Sequence, residues 1–260
     1  MNNAMSVFAI VILSVFSAFT VGGIIMGISA SSPENINKLY LYISFLMGQG
    51  VILIPPIYFL SIKEQPIFES LRINIVPLKT IKNTVIFSSG VLIVFDTMDR
   101  IIHKFIPPPE YIIDLGEIMR PDSTLGYIFL FLAVVIVAPI GEEIVFRGFL
   151  QKFLEKYWKD ITRAVLVTSL FFAMIHFNPF WTIQIYLLGV ILGFLAWKTN
   201  SVIPSIVLHI INNGLAFILT NIGEGTMGFY LWKDNVSPIF ILLAVFLIYK
   251  GLEGINLEEG

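Results

Sequence analysis

Cysteine is absent from the 260 residues, which excludes disulfides, Cys-ligated zinc and a cysteine nucleophile. Charge is scarce. Asp, Glu, Lys and Arg supply 13% of the chain, about half the share of an ordinary soluble domain. The net charge of −2 argues against a nucleic-acid partner, whose phosphates are bound mainly by Lys and Arg. His-Glu-x-x-His and Gly-x-Ser-x-Gly are both missing, so the chain has neither a zincin helix nor an α/β-hydrolase nucleophile elbow. No repeat or low-complexity tract stands out, and residues 1–260 read as one domain. Lys and Arg are missing from Met1–Met5 as well. With the long apolar run that follows, this fits a retained helix better than a cleaved signal peptide.

What the chain has is apolar surface. Hydrophobic residues make up 57%, and the mean hydropathy is +0.86, the composition of an integral membrane protein. A span needs about 20 mostly apolar residues, and eight such segments are expected. They cover roughly Met5–Ser29, Leu39–Ser61 (kinked or ended by Pro55-Pro56), Ile81–Thr97, Thr124–Leu150, Thr162–His176, Trp181–Trp197, Val202–Thr220 and Ser237–Leu252. The fold class is therefore all-α, a polytopic bundle enclosing an intramembrane cavity. With eight spans, the loops on the side of the termini carry ten Lys and Arg residues and the opposite loops five. The positive-inside bias then places both termini in the cytoplasm. The loop Lys63–Lys79 alternates charged and apolar residues, as an interfacial segment or an amphipathic connector would. The long loop Arg100–Ser123 either caps a site or only connects. Trp158, Trp181, Trp197 and Trp232 fall near span ends, as in an aromatic belt.

Against this background one stretch is expensive. Glu142, Glu143 and Arg147 lie inside the fourth apolar segment, where an ionised residue costs roughly 2.5–3.5 kcal/mol at the bilayer centre. Glu143 and Arg147 are four apart and share a helix face, so they can neutralise each other. Glu142 is turned by about 100° and stands outside that pair. Two carboxylates in different surroundings suggest different roles. A salt-bridged cluster that merely locks helices is the plainer alternative. His176 follows Phe172 by four residues, and His209 precedes Asn213 by four. Glu142 lies 17 residues before the Lys159-Asp160 turn and His176 lies 17 after Lys159, roughly 25 Å along each helix and so at matching height. A Glu and a His so placed can deprotonate a water, while a second His and an Asn amide can donate to an oxyanion. Glu142, His176 and His209 could instead hold zinc with an open water position. Both versions stay open at this point.

The three motifs, Glu142-Glu143-x-x-x-Arg147, Phe172-x-x-x-His176 and His209-x-x-x-Asn213, resemble those of the CPBP family. That family groups type II CAAX prenyl endopeptidases with bacteriocin-processing and bacteriocin-immunity proteins. Gly189-x-x-x-Gly193 and Thr199–Ile206 also resemble the family's run into its last motif, and the likeness covers roughly residues 122–220. It implies an intramembrane endopeptidase with its site open to the cytoplasm and a membrane-associated substrate, prenylated or not. Glu142 and His176 would activate water, and His209 and Asn213 would stabilise the oxyanion. Glu143, Arg147 and Phe172 would support them. Members are described both as metalloproteases and as metal-free glutamate enzymes, so zinc is an open expectation. Small size and an Ile-, Lys- and Asn-rich composition resemble prokaryotic members. A non-catalytic immunity or scaffold protein is the competing reading. A proton-coupled transporter is a third, and the lack of a repeat between the halves weighs against it.

Overall fold

Apolar segments in lipid must satisfy their own backbone, and the helix does so within one segment. The computed structural model describes residues 4–29, 37–221 and 228–256 and is 81% helical. Met1–Asn3, part of the start that lacks basic residues, lies outside the described residues. Among the described residues the only strands are β1 (Leu231–Trp232) and β2 (Asn235–Val236), an antiparallel pair. The helices are α1 (Ala4–Ser29), α2 (Lys38–Val51), α3 (Ile54–Ile62), α4 (Ile67–Ser70), α5 (Leu78–Phe105), α6 (Glu110–Ile118), α7 (Thr124–Phe131), α8 (Ala138–Glu143), α9 (Lys152–Trp158), α10 (Ile161–Met174), α11 (Thr182–Lys198), α12 (Ile203–Asn221) and α13 (Pro238–Asn256).

The expected count of eight spans is not confirmed by this structure. Among the described residues five helical stretches are long and apolar enough to cross a membrane: Ala4–Ile28, Lys38–Ile62, Thr124–Trp158, Ile203–Asn221 and Pro238–Ile255. α10 and α11 are apolar but only 14 and 17 residues long. α5 is long at 28 residues, but Lys79, Lys82, Asp96, Asp99, Arg100 and Lys104 break its apolar surface. Together the apolar helices make this an integral membrane protein.

Prolines shape two of the spans. α2 stops at Val51 and α3 restarts at Ile54, with Pro55 in its first turn. There a missing N–H costs nothing. In Thr124–Trp158, Pro139 lies in the first turn of α8, directly after a π-helical section, Leu132–Val137. A wider turn absorbs the ring that would otherwise strike the carbonyl four residues earlier. A second π-helical section, Ile144–Gln151, joins α8 to α9. Lys159 in the left-handed region (φ 54°) then ends α9, and the Asp160 side chain caps α10 by accepting from Arg163 N at 2.9 Å.

The chain divides into two compact units, Met1–Ile75 with Pro121–Ile206 and Val76–Arg120 with Val207–Gly260. In the first, the core joins Val7, Val11, Leu60, Phe146, Phe149, Leu154 and Phe172 from α1, α3, the second π section, α9 and α10. In the second, α5 packs against α13. Gly251 permits the contact, because a Cβ there would stand 2.6 Å from Phe87 N. Asp96 pairs with Arg100 at 3.0 Å, and Lys104 Nζ donates to Asn235 Oδ1 at 2.7 Å.

The loop after α3 is more than a connector. Arg72 bridges to Glu155 on α9, and Arg72 O accepts from Val202 N at 3.0 Å. Ser201 Oγ donates to Asn74 O, and Asn74 Nδ2 to Asn200 O, both at 2.6 Å. Residues 72–74 are thus clipped to the turn between α11 and α12. Gly148 lets this strap approach, since a Cβ there would meet Leu71 O at 2.2 Å.

Candidate active site

Inside an apolar first unit, an arginine needs partners for its charge and its donors. Arg147 and Glu143 are fully buried and joined by a 2.9 Å ion pair, as the four-residue spacing anticipated. Arg147 Nη2 also donates to Gly189 O on α11 at 3.1 Å. The guanidinium carbon stands 4.2 Å from the centre of the Phe172 ring on α10. One side chain therefore ties three helical segments together. Gly189 makes room for it, because a Cβ there would lie 3.3 Å from Arg147 Nη2 and 3.1 Å from Ser169 Cβ.

One turn further on, the arrangement repeats. Gln151 is fully buried and Nε2 donates to Gly193 O at 2.9 Å and to Glu155 Oε1 at 2.8 Å. Arg147 and Gln151 reach the carbonyls of Gly189 and Gly193 in step. In the sequence the two glycines stood out only as part of the run resembling the family's approach to its last motif, and Gln151 and Arg72 carried no assigned role. The signal was there: polar residues four apart on one helix opposite small residues four apart on another.

His176 is placed differently from expectation. The expected fifth span ended at it, whereas α10 ends two residues earlier at Met174 and His176 lies in the turn beyond, exposed. The following Phe177 is in the left-handed region at φ 48°, a rare conformation for a bulky residue. Asn178 then opens the way into α11, with Oδ1 accepting from Phe180 N at 3.1 Å and its carbonyl accepting from Thr182 Oγ1 at 2.7 Å. His176 is nonetheless held in place. Nδ1 lies 2.8 Å from Phe172 O, and the two rings meet edge to face at 4.8 Å. A carbonyl only accepts, so Nδ1 carries a proton, and in the neutral ring the lone pair is then on Nε2. Phe172 thus links the Glu143–Arg147 pair to His176.

Glu142 is buried beside Glu143. His209 is buried on α12, and Asn213, one turn on, accepts from Asn212 Nδ2 at 3.0 Å through Oδ1. Glu142, Glu143, Arg147, Phe172 and His176 belong to the first unit, and His209 and Asn213 to the second. The zinc version of the site needs Glu142, His176 and His209 together. Among the described residues no group of three or more His, Cys, Asp or Glu side chains forms a metal site.

Comparison with known proteins bears on the same stretch. Residues 124–215 match the family model described as type II CAAX prenyl endopeptidase Rce1-like. The chain is also 29% identical over 126 residues to UPF0177 protein YbdI of Lactococcus lactis subsp. lactis (strain IL1403), covering 46% of this chain and 67% of that protein. No solved structure matches it significantly. The matched segment contains all seven residues of the three motifs, so the likeness of this membrane protein to the Rce1-like type II CAAX prenyl endopeptidases falls on the stretch that carries the candidate site.

Proposed function

We propose that the protein is an intramembrane endopeptidase that cleaves a membrane-associated, lipidated peptide by Glu- and His-activated water, with both termini in the cytoplasm. The observation that carries this reading is the fixed tautomer of His176 within the matched segment. With Nδ1–H given to Phe172 O, Nε2 is available as an acceptor for a water proton. The Glu142 carboxylate takes the water's other proton as the water oxygen attacks the peptide carbonyl carbon. The proton then passes to the amide nitrogen as the C–N bond breaks, leaving a new carboxylate and a new amine. Arg147 keeps Glu143 paired, so the charges of the two adjacent acids are not equivalent. His209 and Asn213 are assigned as donors to the oxyanion. That assignment rests on their side-chain chemistry and on the matched motif.

The test is cleavage of a prenylated C-terminal peptide by protein purified into bicelles. Wild type is expected to cleave, and Glu142→Gln to lose about 10²- to 10⁴-fold in rate with its melting temperature preserved. Undiminished cleavage by Glu142→Gln would remove Glu142 from the chemistry. Unfolding of that variant would point to the structural role instead. Cleavage by neither protein, both folded, would favour the immunity or scaffold reading.

A further inference from the structure

A second feature of the first unit takes no part in the proposed hydrolysis. A cleft of about 380 Å³ opens between the end of α3, the loop after it and the helix ending at Trp158. Its volume falls within the range of small-ligand sites. Leu60, Phe149 and Phe153 line it with buried apolar surface, whereas Lys152, Lys156 and Tyr157 supply polar groups. Gln65 and Ser70 complete the lining, which contains no acidic side chain.

Its level in the molecule is distinctive. Leu60 is near the end of the apolar stretch Lys38–Ile62, and Lys152–Tyr157 are in the last turns of Thr124–Trp158. The cleft therefore opens where hydrocarbon gives way to headgroups. Tyr58, Ile62 and Phe68 are 67%, 59% and 71% exposed, a surface suited to lipid on the same segments. Lys152 Nζ donates to Glu69 O. An ammonium has three donors, so two remain. The side chain of Glu155, the acid between the two lysines, is taken by Arg72 and Gln151.

We propose that this cleft binds the phosphodiester headgroup of an anionic phospholipid, with Lys152 and Lys156 on the phosphate and the start of an acyl chain against Leu60, Phe149 and Phe153. Neither lysine is placed in the catalytic machinery, so the site is separable from the proposed peptidase activity.

Native mass spectrometry of the full chain in detergent tests this. The probes are phosphatidylglycerol and phosphatidylcholine of identical chains, with inorganic phosphate as competitor. Wild type is expected to retain one phosphatidylglycerol in preference to phosphatidylcholine. Lys156→Gln should weaken it about fivefold and Lys152→Gln/Lys156→Gln about 25-fold, while Lys38→Gln, at the opposite end of the apolar stretch Lys38–Ile62, should leave it unchanged. Equal retention of the two lipids would overturn the proposal. Displacement by an equal concentration of phosphate would also do so, by identifying a free-phosphate site. Lys152 also holds the Glu69 carbonyl, so the double variant could fail to fold. Lys156→Gln alone then decides, and affinity equal to wild type sinks the proposal.

Discussion

The Arg147 guanidinium lies 4.2 Å from the centre of the Phe172 ring, and Phe172 O holds His176 at 2.8 Å. The cation that neutralises Glu143 is thus one residue away from the imidazole. Arg147→Lys keeps the charge but has no planar fork to serve Glu143, Gly189 O and the ring at once. It should cost about 2 kcal/mol or more, and Arg147→Ala about 3–5 kcal/mol because a buried carboxylate is left behind. Denaturation in mixed micelles measures both, and an Arg147→Lys variant as stable as wild type would contradict the three-way role.

The histidine prediction is spectroscopic. Nitrogen NMR of His-labelled protein at neutral pH should show His176 as the Nδ1–H tautomer, with Phe172→Leu retaining it because the carbonyl remains. The same variant should lower kcat about tenfold with little change in KM, since it loosens the ring without touching substrate. An Nε2–H tautomer in wild type would remove the proposed Nε2 acceptor for the water.

Three glycines should respond in a definite order. An added methyl at Gly148 meets the Leu71 carbonyl at 2.2 Å, at Gly189 it meets Ser169 Cβ at 3.1 Å, and at Gly193 it meets the movable end of Gln151 at 2.7 Å. Gly148→Ala should be the most destabilising, above the usual 1–3 kcal/mol of overpacking. Gly189→Ala should be the mildest, because its nearest contact is already at 3.1 Å, whereas room at Gly193 requires the buried, doubly bonded Gln151 amide to move. Thermal melts of the three variants rank them.

Alkaline stability should report on Tyr230. Burial first, and then the neighbouring Asp96 carboxylate, hold its phenol above the ordinary value. The folded state therefore keeps the proton more tightly than the unfolded chain. This contribution is fully present below about pH 10 and is lost as pH rises above it. The stability gap between wild type and Tyr230→Phe should be constant from pH 8 to 10 and narrow beyond. A gap independent of pH up to 11.5 would contradict the burial of the phenol.

Much of this architecture was legible in the sequence, because bilayer insertion writes itself as long apolar runs. The helices at Ala4–Ser29, Ile203–Asn221 and Pro238–Asn256, the Pro55-Pro56 break and the Lys159-Asp160 hairpin all follow expectation. The Glu143–Arg147 pair was legible too, since a spacing of four fixes a shared face. The span count was not. Apolarity alone does not give length: α10 is apolar but only 14 residues long. The helix end before His176 was legible only to within two residues, because the apolar Ile175 and Phe177 continue the hydropathic run while the backbone turns left-handed at Phe177. The strap at 72–74 and the role of Gln151 depend on partners far away in sequence, beyond the reach of any local pattern.

The clip between Arg72 O and Val202 N also imposes an order of assembly. The ribosome makes these residues 130 positions apart, so at about 5–20 residues per second the strap waits roughly 6–25 s for its partner. Until then Arg72 and Asn74 face the translation machinery or lipid with their carbonyls unclaimed. The motif-bearing region therefore closes only after Val202 has been made, and a nascent chain halted before Val202 would expose an unfinished edge to quality control.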